Sequence, residues 1–111
     1  MITEDKMAEG CCNIDEKLYS KLFKAFGDRS RLKIIAIVAA NEVTVNEITD
    51  KVGLSQPTVS RHLAILKDAG IVVDRRDKQR VFYSLNKKSV QACCIGFCNC
   101  LEIEEVKEKK G

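Results

Sequence analysis

Apolar residues recur at helical spacing through the first two-thirds of the chain, and small polar or glycine residues interrupt them at regular intervals. Leu18, Leu22, Phe23 and Phe26 fall on one helical face and predict a helix from about Asp15 to Phe26. Gly27 breaks it, and Asp28 is a good N-cap for a second helix, whose stripe of Leu32, Ile35, Val38 and Ala39 carries it to about Asn41. Thr44-Val45-Asn46-Glu47 has the T-x-x-E form of a capping box, opening a short third helix with Val45, Ile48 and Val52 inward and Gly53 at its end. Ser55 caps a fourth helix that tolerates Pro57 in its first turn, buries Val59, Leu63 and Leu66, and stops at Gly70.

The period then changes from helical to alternating. Ile71 to Arg76 and Arg80 to Leu85 read as two strands, with Val81, Tyr83 and Leu85 on one face and Asp77-Lys78-Gln79 as a polar turn. Asn86 caps a last helix. The order is four helices, a hairpin and a helix, ααααββα: a mainly α fold with a small β-hairpin, a winged helix-turn-helix. Residues 1–13 are expected to form a flexible arm, 14–105 the folded domain, and 106–111 a charged tail.

At 111 residues there is room for one core only. A 45% hydrophobic and 32% charged composition is that of a globular chain and argues against disorder. The net charge of +3 decides little, but its position is informative: Arg61 to Arg80 holds six basic residues against three acidic ones. No basic stretch followed by an apolar one opens the chain, and no run reaches the ~18 apolar residues of a membrane span. A cytoplasmic protein without a membrane partner is expected. Its six cysteines then need another explanation than a secreted disulfide framework, because Cys11 and Cys12 sit in the arm, Cys93, Cys94, Cys98 and Cys100 crowd the last helix, and none lies between.

In a helix-turn-helix the second helix enters the major groove. Here its outer positions are Gln56, Thr58, Ser60, Arg61 and His62, short or forked hydrogen-bonding groups suited to base edges and phosphates. Arg75, Arg76, Lys78 and Arg80 surround the hairpin tip and suit phosphate contacts. Leu22-Phe23-Lys24-Ala25-Phe26-Gly27-Asp28-Arg29-Ser30-Arg31-Leu32-Lys33-Ile34, Gly53-Leu54-Ser55-Gln56-Pro57-Thr58-Val59-Ser60-Arg61-His62-Leu63 and Leu66-Lys67-Asp68-Ala69-Gly70-Ile71-Val72 together resemble the ArsR/SmtB family of metal-sensing repressors. The resemblance covers roughly residues 18–90. It implies a homodimer through the first and last helices that binds inverted-repeat operator DNA and leaves it when an inducer binds. Lys78 stands where the family's wing turn commonly has glycine.

Arsenic-responsive members of that family usually carry two cysteines in the third helix. Thr44 and Asn46 occupy those places here, and the only histidine, His62, lies on the recognition helix. Sensing would therefore fall to the terminal cysteines. Cys94 and Cys98 are i,i+4 neighbours and Cys93 and Cys100 are i,i+7, so each pair shares a helical face, and Gly96 with Asn99 could let the helix fray around an ion. Some members of the family place a similar Cys-Cys-x5-Cys set on this helix, as Cys93, Cys94 and Cys100 do. Three thiolates, Cys93, Cys94 and either Cys100 or Cys98, suit As(III) or Sb(III); Cd, Pb or Zn could use the same donors, and Cys11 and Cys12 could complete the site. Thiol oxidation or reactive sulfur at these cysteines is the alternative signal. A thiol metal-buffering protein is an alternative of another class, disfavoured by the basic wing. No catalytic constellation or organic-cofactor motif is present, so an enzyme is not expected.

Overall fold

The computed structural model describes residues 15–101. It comprises α1 (Glu16–Phe26), α2 (Arg29–Ala40), β1 (Val43–Thr44), α3 (Val45–Val52), α4 (Gln56–Asp68), β2 (Val72–Asp77), β3 (Arg80–Leu85) and α5 (Lys87–Cys100). Every described helix begins at a side-chain cap. Asp15, Asp28, Thr44, Ser55 and Asn86 each accept from the backbone N–H three residues on, which satisfies a donor the helix itself cannot. Thr44 and Glu47 form the reciprocal box: Oγ1 of Thr44 accepts the Glu47 N–H at 3.3 Å and the Glu47 carboxylate accepts the Thr44 N–H at 2.8 Å.

The core lies where α2, α3 and α4 meet the sheet. Ile34, Ile48, Val59, Leu66 and Ile71 are fully buried, with Val38, Leu63 and Val72 almost so, and Leu22 and Ala25 bring α1 onto the same cluster. Helix α4 buries Val59, Leu63 and Leu66, the stripe that its sequence spacing predicts. The stripe of α2 differs from expectation, and that of α1 is only partly used. On α2 the core is met by Ile34 and Val38, and Leu32 is 49% exposed; on α1 only Leu22 and Ala25 are buried, and Leu18 and Phe23 are 40% and 49% exposed. Both helices carry more apolar surface than one core contact uses, so spacing alone did not select the buried face.

The sheet has three antiparallel strands in the order β1-β3-β2. The hairpin register runs from Val72 opposite Leu85 to Asp77 opposite Arg80, leaving Lys78 and Gln79 as the loop. Val43 and Thr44 add a strand by pairing with Tyr83 and Phe82. A two-residue strand has no periodicity to betray it. Gly53, at φ +74°, makes the left-handed turn between α3 and α4. Lys78 adopts φ +62° at the wing tip, a conformation glycine takes more readily. No described helix is long and apolar enough to cross a membrane.

Candidate nucleic-acid interface and thiol helix

The turn at Gly53 and Leu54 sets α4 with its N-terminus outward. Gln56, Ser60 and Arg61 are exposed, and Thr58 and His62 are half-buried. Thr58 has a local duty: the Ser55 hydroxyl donates to its Oγ1 at 2.8 Å, tightening the N-cap. Beside α4 the wing carries exposed Arg76, Lys78 and Arg80, and a cleft lined in part by Asn46, Glu47, Ser60, Gln79 and Arg80 separates wing from helices. Polar side chains from two elements thus face one solvent-open surface, and phosphates are the ligand such a basic, forked set of donors suits.

Arg75 is placed differently from its basic neighbours. Its side chain crosses β3 over the ring of Phe82, the residue opposite it in the register, at 4.9 Å from the centroid. Beyond the ring its Nε and Nη2 donate to the two carboxylate oxygens of Glu42 at 2.7 and 2.9 Å. The guanidinium holds the Glu42 carboxyl below its usual range, and the carboxylate raises Arg75 in turn. Lys67 Nζ donates to Asp74 at 2.9 Å, tying the end of α4 to β2, and that hydrogen bond raises the lysine.

Helix α5 runs unbroken through Gly96 from Lys87 to Cys100. Glycine has a packing reason at this place: a Cβ on Gly96 would stand 3.1 Å from Tyr19 Oη, and the bare glycine lets α1 approach. Phe97 packs against Tyr19 at 5.1 Å and edge-on against Phe23 at 4.9 Å between centroids. Along the same helix Cys93 leans on the core and Cys100 is 5% exposed, while Cys94 and Cys98 are exposed. The i,i+7 and i,i+4 pairs therefore occupy opposite sides. Cys93, Cys94 and Cys98 are free thiols, and Cys100 is disulfide-bonded. Among the described residues no three Cys, His, Asp or Glu side chains converge on a point where a metal ion could sit. Cys11 and Cys12 lie outside the described residues.

Comparison with known proteins agrees with this geometry. Residues 28–73 match the family described as "Bacterial regulatory protein, arsR family". The transcriptional repressor SdpR of Bacillus subtilis is 36% identical over 72 residues, 65% of this chain and 80% of that protein. The chain belongs to the ArsR family. The arsenic resistance transcriptional regulator ArsR1 of Pseudomonas putida is 42% identical over 71 residues, covering 63% of this chain but 56% of that protein. The solved structure of HlyU from Vibrio cholerae superposes with a TM-score of 0.64 at 33% identity, covering 76% of this chain and 91% of the other. The family consists of transcription regulators and not enzymes, as the missing catalytic constellation had suggested.

For an ArsR-family regulator, the fold brings α4 and the wing to one surface and sets the thiols apart on α5. Arg75 was picked out as a basic wing residue, but its pairing with Glu42 has no sequence signal. Glu42 and Arg75 are 33 positions apart, and nothing in either neighbourhood announces the pair. Arg31 was visible only as part of the family-like motif, yet its side chain reaches His62 on α4, with Nη1 and Nδ1 3.2 Å apart.

Proposed function

We propose that this chain is a cytoplasmic, homodimeric transcriptional repressor that reads inverted-repeat operator DNA and releases it when As(III) or Sb(III) engages the thiols of α5. Gln56, Thr58, Ser60 and Arg61 would read the major groove, with Arg76, Lys78 and Arg80 on phosphates, while His62, half-buried and turned toward Arg31, would support the helix and not contact a base. Arg75 reaches DNA only by leaving Glu42. The observation that carries the sensing half is the placement of three free thiols, Cys93, Cys94 and Cys98, within one and a half turns of the helix that locks Phe97 against α1. As the helix stands these donors do not fit a three-coordinate ion, because Cys93 faces inward. Gathering all three would require α5 to unwind locally, and Phe97 would leave Tyr19 and Phe23. Of the two candidates for third ligand, Cys98 is the free one; Cys100 would have to be reduced first. Cd, Pb and Zn are softer or harder competitors for the same sulfurs. The name of the Pseudomonas relative supports arsenic as the signal.

The disulfide at Cys100 favours a second reading, in which oxidation of the α5 thiols is the signal. Fluorescence anisotropy of a labelled promoter fragment with reduced protein separates the two. Arsenite should release the DNA, and Cys94→Ser with Cys98→Ser should abolish the response. Release by peroxide or polysulfide but not by arsenite would transfer the function to the oxidation reading. Failure to bind any upstream fragment would remove the repressor reading altogether.

A further inference from the structure

Helix α1 ends beside the recognition helix, and one side chain closes the gap. The last carbonyls of a helix have no partner within it. At the end of α1 Arg31 reaches two of them: its Nε donates to Ala25 O at 2.9 Å, and its Nη2 donates at 3.1 Å to Lys24 O, which also accepts the Gly27 N–H at 3.2 Å. The third branch of the same guanidinium, Nη1, lies 3.2 Å from Nδ1 of His62 on α4. Arginine can only donate, so as a hydrogen bond this contact requires the ring to accept at Nδ1. The backbone from which this side chain extends is held by the N-cap of α2, where the Arg31 N–H donates to the Asp28 carboxylate at 3.0 Å. One planar fork therefore joins three helices.

We propose that Arg31 is a positioning residue for DNA reading, setting the rotation of α4 against the end of α1 through His62. His62 sits between DNA-facing Arg61 and buried Leu63, so holding its ring fixes which way its neighbour points. The leverage is considerable. A rotation of α4 by about 10° moves a side-chain tip about 6 Å from the axis by about 1 Å. That displacement spoils the distance and angle of a bidentate base contact. A second polar tie between α1 and α4, Lys21 to Asp68 at 3.1 Å, is a solvent-exposed ion pair at the far end of α4 and offers no comparable control. The bracket also has a regulatory corollary, which rests on the sensing reading given above. Phe97 of α5 leans on Tyr19 and Phe23 of α1, so a change in α5 meets the recognition helix through the end of α1 and Arg31.

The test uses the full chain and a labelled promoter fragment, with affinity measured as a function of salt. Arg31→Lys keeps the charge but cannot bridge three acceptors, and Arg31→Ala loses both. Each should weaken binding about 5- to 150-fold, the effect of losing one bidentate base contact. The salt slope should be unchanged in both, because Arg31 touches no phosphate. His62→Ala should weaken binding similarly, the Arg31→Ala and His62→Ala double variant should be no weaker than Arg31→Ala, and His62→Asn, which keeps an acceptor near Nδ1, should recover most of the loss. Additive effects, or a slope reduced by about 0.9 per subunit in Arg31→Ala, would overturn the assignment. If Arg31→Ala does not fold, Arg31→Lys and the His62 pair decide the matter alone. In Arg31→Lys arsenite should still consume the α5 thiols but release less DNA; release equal to the parent's would overturn the corollary. A parent protein that arsenite does not release would refute the sensing reading, while the salt and double-variant measurements would still judge Arg31.

Discussion

Arg75 lies among the basic residues of the wing, but the structure predicts that it behaves unlike them. The perturbations are Arg75→Gln and Glu42→Gln. Arg75 spans the sheet from β2 over Phe82 to Glu42, so the pair acts as a strap holding the wing to the start of β1. Both side chains remain partly exposed, at 55% and 36%, and such a pair adds little to global stability. Its effect should appear in DNA binding. If Arg75 positions the wing, either substitution loosens it and weakens binding, the two effects do not add, and the salt dependence stays as in the parent. If Arg75 contacts a phosphate, the outcome differs in sign and slope. Each lost phosphate contact lowers the slope of log affinity against log salt by about 0.9, which changes the parent-to-variant ratio about 3.5-fold between about 50 and about 200 mM salt. With two wings on one operator the change is about 12-fold, well within the reach of anisotropy titrations. Glu42→Gln would then strengthen binding, since it removes a negative charge and liberates a cation. Tighter binding by Glu42→Gln together with a flattened slope in Arg75→Gln would refute the strap.

Four further outcomes are expected. Ile48→Ala empties a fully buried site between α3 and its neighbours and should cost about 2–5 kcal/mol in denaturant unfolding, where a loss under 1 kcal/mol would contradict the packing. Lys78→Gly relieves a left-handed residue and should raise stability by about 1 kcal/mol while weakening operator binding, the combination expected of a strained functional tip. Asp28 is held below its ordinary carboxylate range, chiefly by the Arg31 backbone N–H. Its stabilising contribution is therefore complete above its unfolded value and lost as pH falls through the lower folded one, so Asp28→Asn should flatten the acid limb of melting temperature against pH. Iodoacetamide mapped by mass spectrometry should label Cys94 and Cys98 before Cys93, and Cys100 only after reduction.

Capping chemistry and period made the scaffold legible. Asp28, Thr44, Ser55 and Asn86 are local instructions, read by the backbone three residues away, and a sequence states them in full. The stripe of Val59, Leu63 and Leu66 was equally plain, because the opposite face of α4 is polar. What escaped is non-local. Whether Arg75 meets Glu42, or Arg31 meets His62, depends on how strands and helices are set side by side, and neither pairing leaves a periodic trace. The thiols were half legible: their spacing gave the two faces of α5, but which face looks inward follows from Phe97 packing on Tyr19 and Phe23.

The exposed apolar residues follow a pattern of their own. Leu18 and Phe23, which share the apolar face that predicts α1, are substantially exposed along with Ile95 and Leu101 at the end of α5. The single-chain core has no place for them, whereas it takes up the apolar residues of α3 and Val59, Leu63 and Leu66 of α4. Exposed apolar side chains on the first and last helices are what a dimer through those helices would cover. On that proposal the same contact would flank α5, where Cys94 and Cys98 stand. The thiols would then sit beside an interface as well as on the helix that braces α1. Substituting Phe23→Glu should consequently do two things at once: shift the chain to monomer in sedimentation and abolish operator binding, because one recognition helix alone spans half of an inverted repeat. A Phe23→Glu protein that stays dimeric would remove α1 from the interface.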